Sequence, residues 1–327
     1  MLNNYSKKLL CGLSLDLDNQ WSYMKIHGDD GWKDYPSYLN SFIPHILKTL
    51  NELNLKITFF IVGKDASLEK NKDALQLIVD SGHEVGNHSF HHESWLHLYS
   101  KEKIKDELKM AEEYIEKVTG KKPNGFRGPG FSWSYNLLET LSECGYSYDA
   151  STLPTFIGPL ARIYYFKTAN LTKEEKEDRK KLFGKFSDGF RPLKPYVWNL
   201  NSNNKILELP VSTIPIIKIP FHLSYLIYLN NLSPFLMNTY LETAIKLCRF
   251  TRTEPSFLLH PLDLIGSDQV KVLEFFPGMG VKSKDKVLLF VKIINKLQNN
   301  FHLVNMNFYA KKYLEKEKIK QKNLFKD

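Results

Sequence analysis

Apolar positions along this chain fall into two alternating rhythms. Short runs of strand length, LLCGLSLDL (9–17), KITFFIVG (56–63) and HEVGNHS (83–89), are separated by stretches whose apolar residues recur every three or four positions. In PSYLNSFIPHILKTLNELN (36–54), Phe42, Ile43, Ile46, Leu47 and Leu50 share one helical stripe, and in 100–120 Ile104, Leu108, Ala111, Ile115 and Val118 share another. Ser100 is placed to cap the start of the second helix, and Gly82 and Gly120 to close the helices they follow. Strands are expected again in NGFRGPG (124–130), YSYDAS (146–151), ILELPVST (206–213), PSFLLHPLD (255–263) and FHLVNM (301–306). YNLLETLSECG (135–145) and KDKVLLFVKIINKLQNN (284–300) supply further helices. Seven or eight β units in β-α order predict an α/β fold of mostly parallel strands, most economically a distorted, closed or nearly closed barrel.

The rhythm breaks between about 152 and 204, where the charged stretch LTKEEKEDRKKLFG reads as helical among scattered aromatic and proline residues. We read this as an insertion in a single domain spanning 1–327, one that could shape a substrate cleft through Trp198, Phe190 or Arg191. A basic helix is expected at about 306–327.

With 327 residues, 43% of them hydrophobic, the chain can bury a substantial core. The three cysteines, Cys11, Cys144 and Cys248, are odd in number and far apart, which suggests neither a disulfide framework nor a cysteine-rich zinc site and fits a reducing compartment. The apolar run before Asp16 is short for a secretory leader, and no apolar span of about 20 residues follows. A cytoplasmic location is therefore the expectation, with peripheral contact at the inner membrane face as an extension of it. The net charge of +9 has its ordinary explanation in a solvated, lysine-rich surface, because no nucleic-acid motif accompanies it. The stretch 214–250, IPIIKIPFHLSYLIYLNNLSPFLMNTYLETAIKLCRF, reads as a pair of core-packed helices or a lid, with an interfacial membrane patch as the alternative.

Parallel sheets present ligands at the C-terminal ends of their strands. The polar residues at those positions are Asp16, Asp18, His88, His92, Arg127, Asp149, His260 and Asp263. His88 and His92 are four apart, so a helical turn after the strand places both imidazoles on one face, close enough to grip one ion. Asp18 is the natural third ligand, leaving an open position as in catalytic zinc sites. Asp16 and Asp18 point to the same side of a strand, and two buried carboxylates there need a cation. Asp16 is then left as a base, with Arg127 to keep it ionised and His260 as a general acid.

The aspartate pair in DLD, HSFHH, RGPG and LLH occur in the order of the motifs of the polysaccharide deacetylases, the NodB-like carbohydrate esterase family, which this chain resembles from residue 16 to 260. The resemblance implies a distorted α/β barrel and a divalent metal, usually zinc. It implies Asp16 as base, Asp18, His88 and His92 as metal ligands, Arg127 as partner of the base, Leu258 as the pocket leucine and His260 as acid. Pro129 and Gly130 of RGPG fall to the substrate side, where Gly130 stands in place of an aromatic residue of many members and offers a backbone N–H. The two aspartates are separated by Leu17 where many members have them adjacent, as in a branch that includes deformylases and imide hydrolases. The Asp-Trp motif that tunes the acid histidine has no counterpart here, and Asp263 is the replacement.

The expected activity is metal-dependent removal of an N-acyl group, in the first instance acetyl, from an amino sugar or glycan. Confinement to the cytoplasm would favour a nucleotide-linked or polyprenyl-phosphate-linked substrate over finished wall polymer. The competing readings are an imide or ureide ring hydrolase on the same metal site and a silent carbohydrate-binding protein. A binding module has no use for both a base and an acid.

Overall fold

A computed structural model describes residues 8–159, 186–201 and 204–324. Its first strand, β1 (Leu10–Leu17), shows how side-chain alternation organises the molecule. Leu13, Leu15 and Leu17 face outward into the main hydrophobic core beneath the helices. Gly12, Ser14 and Asp16 face the other way, Gly12 against Met306 and Tyr309, Ser14 and Asp16 against Arg127.

Six more strands stand around that inner space: β2 (Thr58–Ile61), β3 (Glu84–Asn87), β4 (Gly125–Phe126), β5 (Tyr148–Asp149), β7 (Lys205–Glu208) and β8 (Ser256–Leu259). Each pairs in parallel with its neighbours in the order β8-β1-β2-β3-β4-β5-β7. The ring closes just past β7, where Ser212 donates its backbone N–H (3.0 Å) and its hydroxyl (2.6 Å) to the Ser256 carbonyl. The α/β barrel expected from the alternation is therefore present, its seventh joint made by hydrogen bonds beyond a named strand.

Three strands lie outside the ring. β6 (Tyr196–Asn199) pairs antiparallel with β7, β9 (His302–Val304) pairs with the start of β1, and β10 (Gln321–Asn323) pairs with β6. Two expectations change as a result. The described part of the 152–204 insertion contributes a sheet strand, because Tyr196 and Trp198 have an apolar face to bury beside β7; the charged stretch read as helical lies outside the described residues. The basic C-terminal helix ends at Leu314, and the chain past it runs on into β10, whose backbone satisfies the free edge of β6.

Helices cover the outside: α1 (Gln20–His27), α2 (Leu39–Glu52), α3 (Gly63–Ala66), α4 (Lys72–Asp80), α5 (Lys101–Thr119), α6 (Tyr135–Glu143), α7 (Leu223–Leu232), α8 (Pro234–Phe250) and α9 (Ser283–Asn300). The predicted caps hold for α5, whose N-cap Ser100 accepts from the Lys103 N–H and whose C-cap Gly120 is left-handed at φ 67°. The 214–250 stretch packs α7 against α8 through Leu226, Met237 and Leu241, while Tyr228, Leu232 and Phe235 remain exposed. Among the described residues no helix is long and apolar enough to cross a membrane.

The last helix, α10 (Met306–Leu314), plugs the bottom of the barrel. Met306 and Tyr309 pack with Phe60, Tyr148, Leu207 and Leu209 inside it. Tyr148 is fixed there by donating to Glu84 (3.0 Å), and only glycine fits opposite it at Gly125, where an added Cβ would lie 1.9 Å from the ring. With that end closed by apolar side chains, the polar interior residues collect at the other end, where the strands finish.

Candidate metal centre

Asp18 leaves the end of β1 and is met by His88 and His92 from the loop after β3. Asp18 Oδ1 lies 3.3 Å from His88 Nε2 and 2.9 Å from His92 Nε2, and one ligand atom from each of the three falls within 4.8 Å of the others. His88 Nδ1 donates to the Arg127 carbonyl at 2.6 Å, which places a proton on that nitrogen and turns Nε2 toward Asp18. Asp18 Oδ1 is buried and receives no hydrogen bond from any donor. Burial alone would raise the Asp18 carboxyl, but His92 and His88 outweigh it and hold it well below the usual range. Burial likewise opposes charge on His88, yet Asp18 and Asp16 raise it above its ordinary value. A carboxylate oxygen between two imidazole edges is short of positive charge, and the donor set of one oxygen and two nitrogens suits a divalent cation.

The helical turn expected between His88 and His92 is absent. Ser89 (φ 61°) and His92 (φ 54°) take the left-handed conformation, which folds the loop back tightly enough to bring the two rings to 5.0 Å between centroids. Its backbone is held by neighbours: Asn87 Oδ1 accepts from the Ser89 N–H at 2.8 Å, and the buried Glu107 accepts from the N–H groups of Phe90 and His91 at 3.0 Å each. His91 points away from the trio and bonds Glu107 at 2.5 Å. Under Asp18, Asn19 Nδ2 (2.7 Å) and Trp21 Nε1 (2.9 Å) both donate to the buried Asp65, and Trp21 meets His92 edge-on. Burial, first of all, pushes the Asp65 carboxyl up to about 7.

Asp16 stands one inward position before the trio. Arg127, fully buried at the end of β4, donates Nη1 to Asp16 Oδ1 (2.8 Å) and Ser14 Oγ (2.9 Å), and Nε to the Ala150 carbonyl (2.9 Å). Below it, Asp149 and Glu208 face each other across β5 and β7. Burial raises both carboxyls, Asp149 to about 6, and the closeness of Asp149 adds to the rise at Glu208. Two adjacent buried carboxyls hold one proton between them.

On the far side His260 Nε2 lies 3.9 Å from Asp16 Oδ2. Asp263 accepts from the His260 backbone N–H at 2.9 Å and approaches its Nδ1 at 3.7 Å. Burial disfavours the imidazolium, but Asp263, Asp16 and Asp18 together raise His260 to about 9. The loop beneath is anchored by Lys286, whose buried Nζ donates to the carbonyls of Leu262 (2.6 Å) and Ile265 (2.8 Å). Leu258 faces the barrel interior in register with Ser14, since its neighbours Phe257 and Leu259 belong to the outer core. Pro129 is buried and Gly130 exposed at φ 60°, beside Ser94 of the histidine loop. Of the insertion residues, Trp198 is buried and donates to Glu208, Arg191 stacks on Trp133 at 3.6 Å, and Phe190 is exposed.

The sequence reading thus named the residues that meet at the mouth and missed their supports. Asp65 lies in α3, four residues past the end of β2, so the strand-end rule would have found it only if carried on into VGKDA. Glu107 gives no such signal, because it looks like one more charge on a solvated helix. His222 was hidden inside an apolar stretch, although it packs against His260 with ring centroids 5.9 Å apart.

Comparison with known proteins bears on the family and the fold. Residues 24–148 match the polysaccharide deacetylase family model, a span that holds His88, His92 and Arg127 but neither the aspartate pair nor His260. A peptidoglycan deacetylase of Helicobacter pylori is 29% identical over 172 residues, covering 50% of this chain and 55% of that protein. The peptidoglycan-N-acetylmuramic acid deacetylase of Bacillus subtilis is 36% identical over 113 residues, covering 33% of this chain and 41% of that protein. The chain thus matches about half or less of the length of these curated relatives. A crystal structure from Mycobacterium smegmatis assigned to the polysaccharide deacetylases shares the fold over 100% of this chain and 97% of its own, with a TM-score of 0.58 at 16% identity. Over residues 24–148 the chain thus resembles the polysaccharide deacetylases in sequence, and over its whole length it shares the fold of a structure assigned to them.

Proposed function

We propose that this protein hydrolyses the N-acyl group, in the first instance acetyl, of an amino sugar, using a divalent cation held by Asp18, His88 and His92. The observation that carries the reading is the buried Asp18 Oδ1, which lacks any donor and stands between two imidazole nitrogens. Bound there, a divalent cation, zinc by the chemistry of the donors, supplies Lewis-acid polarisation. The protein's own groups move the protons. Asp16, held by Arg127 and close to but outside the trio, takes a proton from the attacking water as its oxygen joins the acyl carbon. His260, protonated below about pH 9 and oriented by Asp263, gives its proton to the amine as the C–N bond breaks. An amine is a poor leaving group, so this acid is a chemical necessity. Leu258, Pro129 and Gly130 would border the acyl group.

The names of the relatives support an amino-sugar substrate, since they include peptidoglycan and chitin deacetylases. We extend the proposal to a nucleotide-linked or polyprenyl-phosphate-linked sugar handled in the cytoplasm, a reading favoured by the free cysteines and by the exposed Tyr228, Leu232 and Phe235. The test is acetate release from N-acetylglucosamine oligomers and from lipid-linked N-acetylglucosamine by zinc-loaded protein. Release that disappears in Asp16→Asn supports the reading, and no release from either substrate contradicts it.

A further inference from the structure

His222 sits at the N-cap of α7, beside the His260 ring. Its ring packs edge-on against Tyr225 at 4.7 Å and faces His260 at 5.9 Å. Only 6% of the residue is exposed, and its Nδ1 is buried with no hydrogen-bond partner. Burial, then the charge of His260, hold the ring down to about 3, with Arg127 adding to the effect and Asp263 opposing it. Between that value and the raised value of His260, from about 3 to about 9, the imidazole is therefore neutral beside a charged His260, with one N–H and one lone pair to place.

A sealed nitrogen without a partner costs less as a bare lone pair than as an N–H, whose lost hydrogen bond cannot be recovered. The proton then belongs on Nε2. The little exposure that remains to the residue lies away from Nδ1, and the ring next to it is the acid that serves the leaving amine. An aliphatic or aromatic side chain would fill this place equally well if packing were its only requirement. Resting on the amino-sugar reading above, we propose that His222 is a specificity residue whose Nε2–H donates to an oxygen of the sugar ring carrying the scissile amide, on the side of the leaving amine.

The ligand class is thus an N-acyl amino sugar with a free hydroxyl in reach of that donor, and a substrate lacking the hydroxyl leaves the donor unpaired. The experiment measures kcat/KM of the zinc-loaded full chain on an N-acetylglucosamine glycoside and on the analogues from which one ring hydroxyl has been removed. Wild type should lose about tenfold to a hundredfold on one analogue, the scale of one unpaired buried donor. In His222→Phe the ratio between that analogue and the parent should fall toward one. His222→Gln, whose amide N–H stands near the position of Nε2, should keep most of it. Because the readout is a ratio within each protein, general loss of activity from poor folding leaves it intact. Equal ratios in wild type and His222→Phe overturn the inference, and so does a shift of the basic limb of the pH profile with unchanged ratios, which would mean that His222 acts only through His260. A wild type inert toward the parent glycoside instead contradicts the amino-sugar reading itself.

Discussion

Asp16 and Asp18 are separated by one residue and by their surroundings. Asp18 meets two imidazoles and no donor, whereas Asp16 meets a guanidinium and lies 3.9 Å from His260. In the proposed reaction the first holds the cation and the second handles the proton. Replacing Asp16 by asparagine keeps the shape and removes the base, so turnover should fall about 10²–10⁴-fold while zinc stoichiometry, measured by elemental analysis, stays at wild type. The acid has its own signature. His260 is raised to about 9 by Asp263 and the nearby aspartates against the effect of burial, so its working, protonated form is lost as pH climbs through that value. The kcat/KM profile should descend on its basic side near pH 9, and Asp263→Asn should move that descent to lower pH. A basic limb indifferent to Asp263 would remove His260 from the acid's role.

At the level of the element, the loop from His88 to His92 is where sequence reasoning and structure part. Spacing by four suggested a helix, and the rings do converge, but through left-handed Ser89 and His92. Periodicity cannot reveal such a loop, because its shape is dictated by groups distant in sequence. Glu107, which accepts from two loop N–H groups and from His91, is the chief of these. By contrast, the strand-end residues were legible, since a polar side chain that follows a buried apolar run in an α/β barrel has few places to go except the mouth. Glu107→Ala should leave these amides unpaired, costing about 1–3 kcal/mol in denaturant unfolding. It should also weaken zinc about 10–100-fold, as loss of an outer hydrogen-bonding partner does. Loss of stability with zinc affinity unchanged would confine Glu107 to the scaffold.

The whole molecule puts chemistry at one end by filling the other. Phe60, Tyr148, Met306 and Tyr309 close the barrel floor, and glycine at 125 is what leaves room for the Tyr148 ring. Gly125→Ala should therefore cost about 1–3 kcal/mol of stability by overpacking, read from the denaturant midpoint, and a neutral result would mean that the floor is looser than this packing implies. The alternation of strands and helices made the barrel readable from the sequence. Its closure through Ser212 and the edge strands β6 and β10 were not, because they depend on which backbone edges remain free once the ring is built. All of this serves one convergence at the mouth. Anomalous diffraction at the zinc edge from crystals grown with zinc tests it most directly. The account predicts a peak about 2.0–2.2 Å from a carboxylate oxygen of Asp18 and from the Nε2 atoms of His88 and His92. A zinc ion bound elsewhere, or none at this trio, would contradict it.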